Sequence, residues 1–197
     1  MTHTSQRRGL ESSEPVREIC FLVMGSFFLT DPLKKGAWDV ARKEAVDKSV
    51  ELGCEDGRKI FPDREAFAEW LKWLNGEWIA RNRREELPFC INCSGNYDDV
   101  QYATKKARVK IHTYSHSIGF FGHVEQLPIG DELALVTMCG HGYCNIQLIR
   151  DLLRKIRIGA ITVEEAAEEL SDKVHCSCGF VSKARAKVLF QRLAVLR

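Results

Sequence analysis

The sequence lacks a strong excess of charge of either sign, and it lacks a long apolar run. Its 197 residues carry a formal net charge of +2 at pH 7 and 28% charged side chains. These values give no general attraction to nucleic acid or to a membrane surface. The apolar run near the start, ICFLVMGSFFL, has a glycine inside it and is too short to span a bilayer. We therefore expect a cytoplasmic protein that binds neither nucleic acid nor a membrane.

Motifs that identify several enzyme classes are also missing. The chain has no glycine-rich dinucleotide fingerprint, no phosphate-binding G-x-x-x-x-G-K, no G-x-S-x-G and no H-E-x-x-H. A ferredoxin-type run of the form C-x-x-C-x-x-C is absent too. The cysteines and histidines are the chemically reactive residues that cluster in this sequence, and they are therefore the candidates for a functional site.

The character of the chain changes after the first 17 residues. Residues 1–17 carry charges of both signs and no apolar core, which is typical of a flexible tail and not of a secretory signal peptide. The remaining residues, 18–197, are enough for one ample core. We predict a single domain there, with a strand and helices over 18–88 and a part rich in cysteine and histidine over 89–197.

Local signals predict two helices in the first half. Asp31 followed by Pro32 is typical of a helix start, and Gly53 is placed to end that helix. Asp63 is a second candidate cap. The segment after it has large residues at helical spacing, which predicts a face directed at the core: Phe67, Trp70, Leu71, Leu74 and Trp78.

The second half contains further helix signals. A short helix is expected over 100–106, and an amphipathic helix over 145–159 that ends in basic residues and a glycine. Thr162 and Glu165 have the spacing of a capping box. A last amphipathic helix is expected over 183–196.

Strands and loops complete the expected fold. ICFLVM near the start predicts a strand, LPFCINCSGNYDD a functional loop, and 109–114 a second strand by its alternation. Pro128 and Gly130 fit a turn between two apolar arms, the second of which would lead directly into CGHGYC. We therefore predict an α+β fold, with a small mixed or antiparallel sheet of about three to four strands covered by helices.

The cysteines are the most informative residues. Cys20 and Cys54 stand alone and are expected to be buried thiols. In a reducing compartment, the closely spaced thiols are more often ligands or catalytic groups than disulfides, and one loop with two thiols supplies two ligands at small cost. We predict a cysteine-rich metal-site region whose ligands come from six residues in three clusters: Cys90, Cys93, Cys139, Cys144, Cys176 and Cys178.

Two metals fit this ligand pool. Only CINC has the two-residue spacing of a zinc knuckle, and six thiolates exceed what one zinc ion uses. Iron–sulfur clusters accept more irregular spacing. An iron–sulfur cluster is therefore the expected cofactor, and zinc is the alternative.

The CGHGYC segment supports a second interpretation. A cysteine at a helix N-terminus gains thiolate character, so Cys139 is a candidate nucleophile with His141 or His116 as its base. Gly140 and Gly142 would let backbone N–H groups approach a bound group.

Other polar residues near the cysteines are weaker candidates. The histidines outside CGHGYC and the tail that could join the site are His112, His116, His123 and His175. Asp98 and Asp99 follow CINC, and helix or loop capping is favoured for them over a role at the site.

Three functions follow from these patterns. The first is an iron–sulfur protein that performs redox or Lewis-acid chemistry on a small substrate. The second is a zinc-clasped structural or regulatory interaction module. The third is a metal-free enzyme with a cysteine nucleophile. The expected partners are another protein, as a docking or redox partner, and a small-molecule substrate.

Overall fold

The structure, a computed structural model, describes residues 14–25, 29–55, 58–113, 122–139, 141–174 and 179–195. The chain forms two compact units, one of Arg17–Tyr114 and one of Met1–Val16 with Ser115–Arg197. The first unit therefore ends at residue 114. The sequence analysis divided its predicted domain after residue 88, where the part rich in cysteine and histidine begins. In the described parts of the chain, no helix is both long enough and apolar enough to cross a membrane.

A three-stranded antiparallel sheet organises the first unit. Its strands are β1 (Ile19–Met24), β2 (Ile60–Phe61) and β3 (Cys90–Ser94), in the order β2-β1-β3. Alternate residues of a strand point to opposite faces, and the face with Ile19, Phe21 and Val23 belongs to the hydrophobic core. The predicted α+β class and small antiparallel sheet are confirmed.

Helices cover this sheet, and their starts follow the predicted caps. They are α1 (Pro32–Glu51), α2 (Arg64–Trp73), α3 (Ile79–Arg84) and α4 (Tyr97–Lys106). The Asp31 side chain accepts a hydrogen bond from the Leu33 N–H, and Asp63 accepts one from the Ala66 N–H. These contacts satisfy amide groups that have no partner inside the helix. The predicted starts of α1 and α2 are confirmed.

A π-helical turn, Leu74–Trp78, joins α2 to α3 without a break. Trp70 and Trp78 on either side of it are both buried, and they donate to the Ala45 and Ala41 carbonyls of α1 at 2.8 and 2.9 Å. Eight residues of a regular α-helix would leave the two indoles about 80° apart around the axis. The π turn absorbs one extra residue and reduces this angle to about 20°, so that both indoles reach α1.

The second unit is helical in its described residues. Its helices are α5 (Gly130–Val136), α6 (Ile146–Arg157), α7 (Val163–Lys173) and α8 (Lys183–Val195), and α7 packs against α8. The capping box of Thr162 and Glu165 is present in full. The predicted helices over 145–159 and after Thr162 are confirmed, and so is the last helix as far as Val195.

Three local predictions are wrong. The predicted second hairpin arm is helix α5, because acidic residues in its first turn and the buried pair Ala134 and Leu135 suit a helix. The predicted CINC loop is strand β3, and 109–113 are not part of a strand. In this last segment the alternation is one of exposure in an irregular chain: Arg108, Lys110 and His112 are exposed, and the residues between them are partly buried.

Candidate functional site

The CGHGYC loop connects two helices of the second unit. Helix α5 ends at Val136, and the chain turns through Met138 and Cys139, both buried. After the loop, the Asn145 side chain accepts a hydrogen bond from the Gln147 N–H at 2.7 Å and caps α6. The expectation that a strand leads into this loop is wrong, whereas the expectation of a helix directly after it is confirmed.

The two thiols of the loop are buried, while the residues between them reach the surface. Cys139 and Cys144 both have 0% exposed surface, whereas His141 and Tyr143 are exposed. Gly142 has a φ of +80°, which a residue with a side chain adopts at a cost. The loop therefore bulges outward in its middle and returns both thiols to the interior. Gly140 lies outside the described residues.

Cys139 and His141 are in contact within this loop. The Cys139 Sγ lies 3.7 Å from the His141 Nδ1, a distance within the range of sulfur hydrogen bonds. The direction depends on the tautomer: an Nδ1–H can donate to a thiolate, and an unprotonated Nδ1 can accept from a thiol.

A second chain segment is anchored next to Cys139. The Ser182 backbone N–H donates to the Met138 Sδ at 3.2 Å, and the Ser182 hydroxyl accepts from the Arg185 N–H at 3.1 Å. Phe180 and Val181, just before Ser182, are buried. The chain that follows the HCSC cluster is therefore held against the residue that precedes Cys139. His175, Cys176 and Cys178 themselves lie outside the described residues.

The two cysteines of CINC are not brought together. Both lie in β3 of the other unit, and a separation of three residues puts them on opposite faces of a strand. Cys90 is exposed, whereas Cys93 packs against the core, where burial raises the pKa of its thiol to about 11. Such a pair does not have the geometry of a knuckle that chelates one ion.

The other histidine candidates are dispersed. His112 is exposed on the segment that follows α4, in the first unit. His123 is exposed in the second unit, and its Nδ1 lies 2.8 Å from the Glu125 carboxylate. His116 lies outside the described residues. Of the described histidines, His141 is the one in contact with a clustered cysteine.

Asp99 has a structural role that the sequence did not indicate. It is almost fully buried, and Arg17 holds both its oxygens, at 2.8 and 2.5 Å, with Arg64 at 3.5 Å from one of them. Arg17 belongs to the predicted tail, but this ion pair fixes it to α4. The neighbouring cap of α4 is Asn96, which accepts from the Asp98 N–H.

The two solitary cysteines are buried, as predicted. Cys20 lies in β1 and Cys54 follows α1, with 1% and 5% of their surfaces exposed. Burial raises the pKa of Cys54 to about 12. A thiol with such a pKa stays protonated near neutral pH and is a poor ligand or nucleophile.

In the part of the chain that the structure describes, no group of three or more His, Cys, Asp and Glu side chains is arranged to hold a metal ion. Comparison of the sequence with protein-family models, curated proteins and solved structures finds no match.

Proposed function

We propose that this protein is a cysteine-ligated metalloprotein whose metal centre lies at the CGHGYC loop. Cys139 and Cys144 would be two of its ligands, and Cys176 and Cys178 of the same unit would complete it. The observation that carries the proposal is the loop itself, which turns both of its thiols inward while it exposes His141, Gly142 and Tyr143.

The position of Ser182 supports the choice of the third cluster. Its contact with Met138 holds the start of α8 beside Cys139. Cys176 and Cys178 precede Ser182 by six and four residues. The covalent chain is therefore long enough for their thiols to reach this loop, and a ligand set drawn from two loops is the usual way in which a thiolate site is built.

The ligand pool that we propose is smaller than the one that the sequence suggested. Cys90 and Cys93 lie on opposite faces of a strand, and the raised pKa of Cys93 disfavours its thiolate. Without them, four cysteines remain in the second unit. Four thiolates are the usual ligand number for an iron–sulfur cluster and also for a structural zinc ion.

The helix that follows the loop places a partial positive charge near one of the thiols. Cys144 lies directly before Asn145, the residue that caps α6. The N-terminus of a helix attracts negatively charged groups, such as a metal centre with thiolate ligands. The His141 Nδ1 lies beside the Cys139 Sγ and would be a donor to that sulfur once it is coordinated.

An iron–sulfur cluster is the first candidate for this site. The spacing of Cys176 and Cys178 is shorter than that of a zinc knuckle, whereas clusters accept irregular spacing because their ligands bind different irons. We propose that such a cluster serves redox chemistry on a small substrate. Lewis-acid chemistry would need one of the four cysteines not to ligate, so that one iron would be open to the substrate.

Zinc is the second candidate, and one observation favours it. The four residues between Cys139 and Cys144 fall within the range that zinc knuckles use, and the reduced pool matches the four ligands of zinc. A zinc site here would clasp the end of α5 to the start of α8. The protein would then be a structural or regulatory interaction module.

The metal-free nucleophile is the weakest interpretation. Reactive cysteines are partly exposed, because a substrate has to reach the sulfur. Cys139 has 0% exposed surface. A substrate therefore could not reach this sulfur without a change of the loop.

The experiment that tests the proposal is a comparison of cysteine variants. Cys139→Ser and Cys144→Ser are expected to lose bound metal, whereas Cys90→Ser, an exposed cysteine in the other unit, is expected to keep it. Iron, acid-labile sulfide and zinc would be measured in protein purified without oxygen. Equal metal content in all three variants would overturn the assignment of the ligands.

A further inference from the structure

A surface groove runs along helix α6, with the buried Leu153 at its floor. It has a volume of about 430 Å³ and is lined by Glu132, Arg150, Leu153, Arg154, Arg157 and Ile158. The four α6 residues and Ile158, which follows the helix, keep the 3.6-residue period and so share one face. From Arg150 to Ile158 this face is about 12 Å long.

The arginines of the groove are held in place. Arg150 donates from Nε and Nη2 to the two carboxylate oxygens of Glu132, at 3.3 and 3.0 Å. Arg157 donates from Nη2 to the Leu193 carbonyl of α8 at 2.9 Å. Arg154 bonds to Asp151 at 2.7 Å, but both side chains are more than half exposed. Exposed pairs of this kind are weak, so an incoming carboxylate can compete with Asp151.

The lining combines positive charge with apolar surface. The three guanidinium groups stand against two carboxylates, Glu132 paired with Arg150 and the exposed Asp151 paired with Arg154, so one positive charge is left in excess. The buried Leu153 forms an apolar floor, and Ile158 at the end of the groove is 71% exposed. A positive surface attracts an acidic partner. Contact of the exposed isoleucine with an apolar side chain of that partner would remove apolar surface from water and so favour binding.

We propose that this groove docks an acidic segment of a partner protein that also carries apolar side chains. A protein segment is favoured over nucleic acid because the described lining residues include no aromatic ring on which a base could stack. It is favoured over a small phosphate because the guanidinium groups are spread along the helix face beside an exposed apolar residue. The proposal does not depend on the metal, since none of the lining residues is a proposed ligand.

The test measures binding of a fluorescent peptide of about eight residues, composed of glutamate and leucine, by anisotropy. We expect salt-dependent binding that weakens between about 20 and about 300 mM NaCl. Arg154→Gln and Ile158→Ser should each weaken binding by about three- to fivefold. Lys43→Gln is the matched control, because Lys43 is also exposed and paired with an aspartate of its own helix, and it should leave binding unchanged.

Three results would overturn the proposal. The first is equal binding of a peptide in which glutamine replaces glutamate. The second is tighter binding of a single-stranded oligonucleotide of equal charge that Ile158→Ser leaves unaltered. The third is displacement of the peptide by millimolar inorganic pyrophosphate without any effect of Ile158→Ser. Circular dichroism of each variant would establish that its helices are retained.

Discussion

The Cys139 Sγ lies 3.7 Å from the His141 Nδ1, and only the cysteine of this pair is buried. In the metal site that we propose, His141 would donate to the coordinated sulfur from outside the metal's ligand set, whereas Cys139 and Cys144 would bind the metal itself.

Replacement of His141 by Ala is expected to leave the bound metal in place but to loosen it. The donor beside the sulfur would be lost, and outer-shell donors of this kind affect metal affinity by about tenfold or more. The measurement is the rate at which a chelator removes the metal. Tyr143→Ala, which changes another exposed residue of the same loop, is the control. If His141→Ala abolished metal binding altogether, His141 would be a ligand.

Cys93 is expected to titrate as an uncoordinated thiol. Its pKa in the folded protein is about 11, raised by burial, whereas an unfolded cysteine ionises near pH 8.5. The unfolded state therefore loses its proton first as the pH rises. The stability that this thiol contributes is complete below about pH 8.5 and is lost up to about pH 11.

The measurement for Cys93 is the free energy of unfolding of the wild type and of Cys93→Ala over this pH range. The wild type should lose up to about 3 kcal/mol more than the variant between these limits. Parallel curves for the two proteins would contradict the pKa shift. If Cys93 showed thiolate absorbance already at neutral pH, it would again be a candidate metal ligand.

The π turn predicts opposite effects of a deletion and an insertion. Deletion of Gly76 should convert Leu74–Trp78 into regular helix and keep Trp70 and Trp78 on one face, with a change in stability below about 1 kcal/mol. Insertion of one alanine after Gly76 should rotate Trp78 by about 100° away from the Ala41 carbonyl, at a cost of about 3 kcal/mol or more.

Chemical denaturation of the two length variants checks this account of the π turn. The NMR resonance of the Trp78 indole N–H reports whether the indole keeps its hydrogen bond to the Ala41 carbonyl. If the deletion destabilised the protein as much as the insertion, the π turn would not be what places the two indoles on the same face of the helix.

Helix termini could be predicted from sequence because their determinants are local. Asp31, Asp63 and Thr162 each cap a helix by accepting from an amide two or three residues ahead. Such contacts lie within one turn of the chain, so the residue pattern alone defines them.

Strand β3 was missed because its pairing is not local. Phe89, Ile91 and Cys93 alternate with polar or exposed residues, which is a strand signal, but the paired cysteines suggested a metal knuckle instead. The contact that decides is with β1, where Phe21 lies opposite Cys93 and about seventy residues away in sequence. Helix α5 was missed because its local pattern is ambiguous: a short apolar run fits a strand or a buried helix equally well.

The helix after the CGHGYC loop was predicted, whereas the burial of Cys139 and Cys144 was not. Their role as ligands stays a prediction. The sequence could not separate them from CINC, because spacing alone does not show that a strand sends Cys90 and Cys93 to opposite faces. It also gave no sign of the contact between Met138 and Ser182, which depends on the packing of two distant segments.

The most direct test is metal analysis of the wild-type protein purified without oxygen, with a visible absorption spectrum. The account predicts brown protein that contains iron and acid-labile sulfide in comparable amounts. Colourless protein with about one zinc per chain would replace the cluster by the zinc clasp. Protein that contains neither metal, with Cys139 and Cys144 as free thiols, would contradict the central claim.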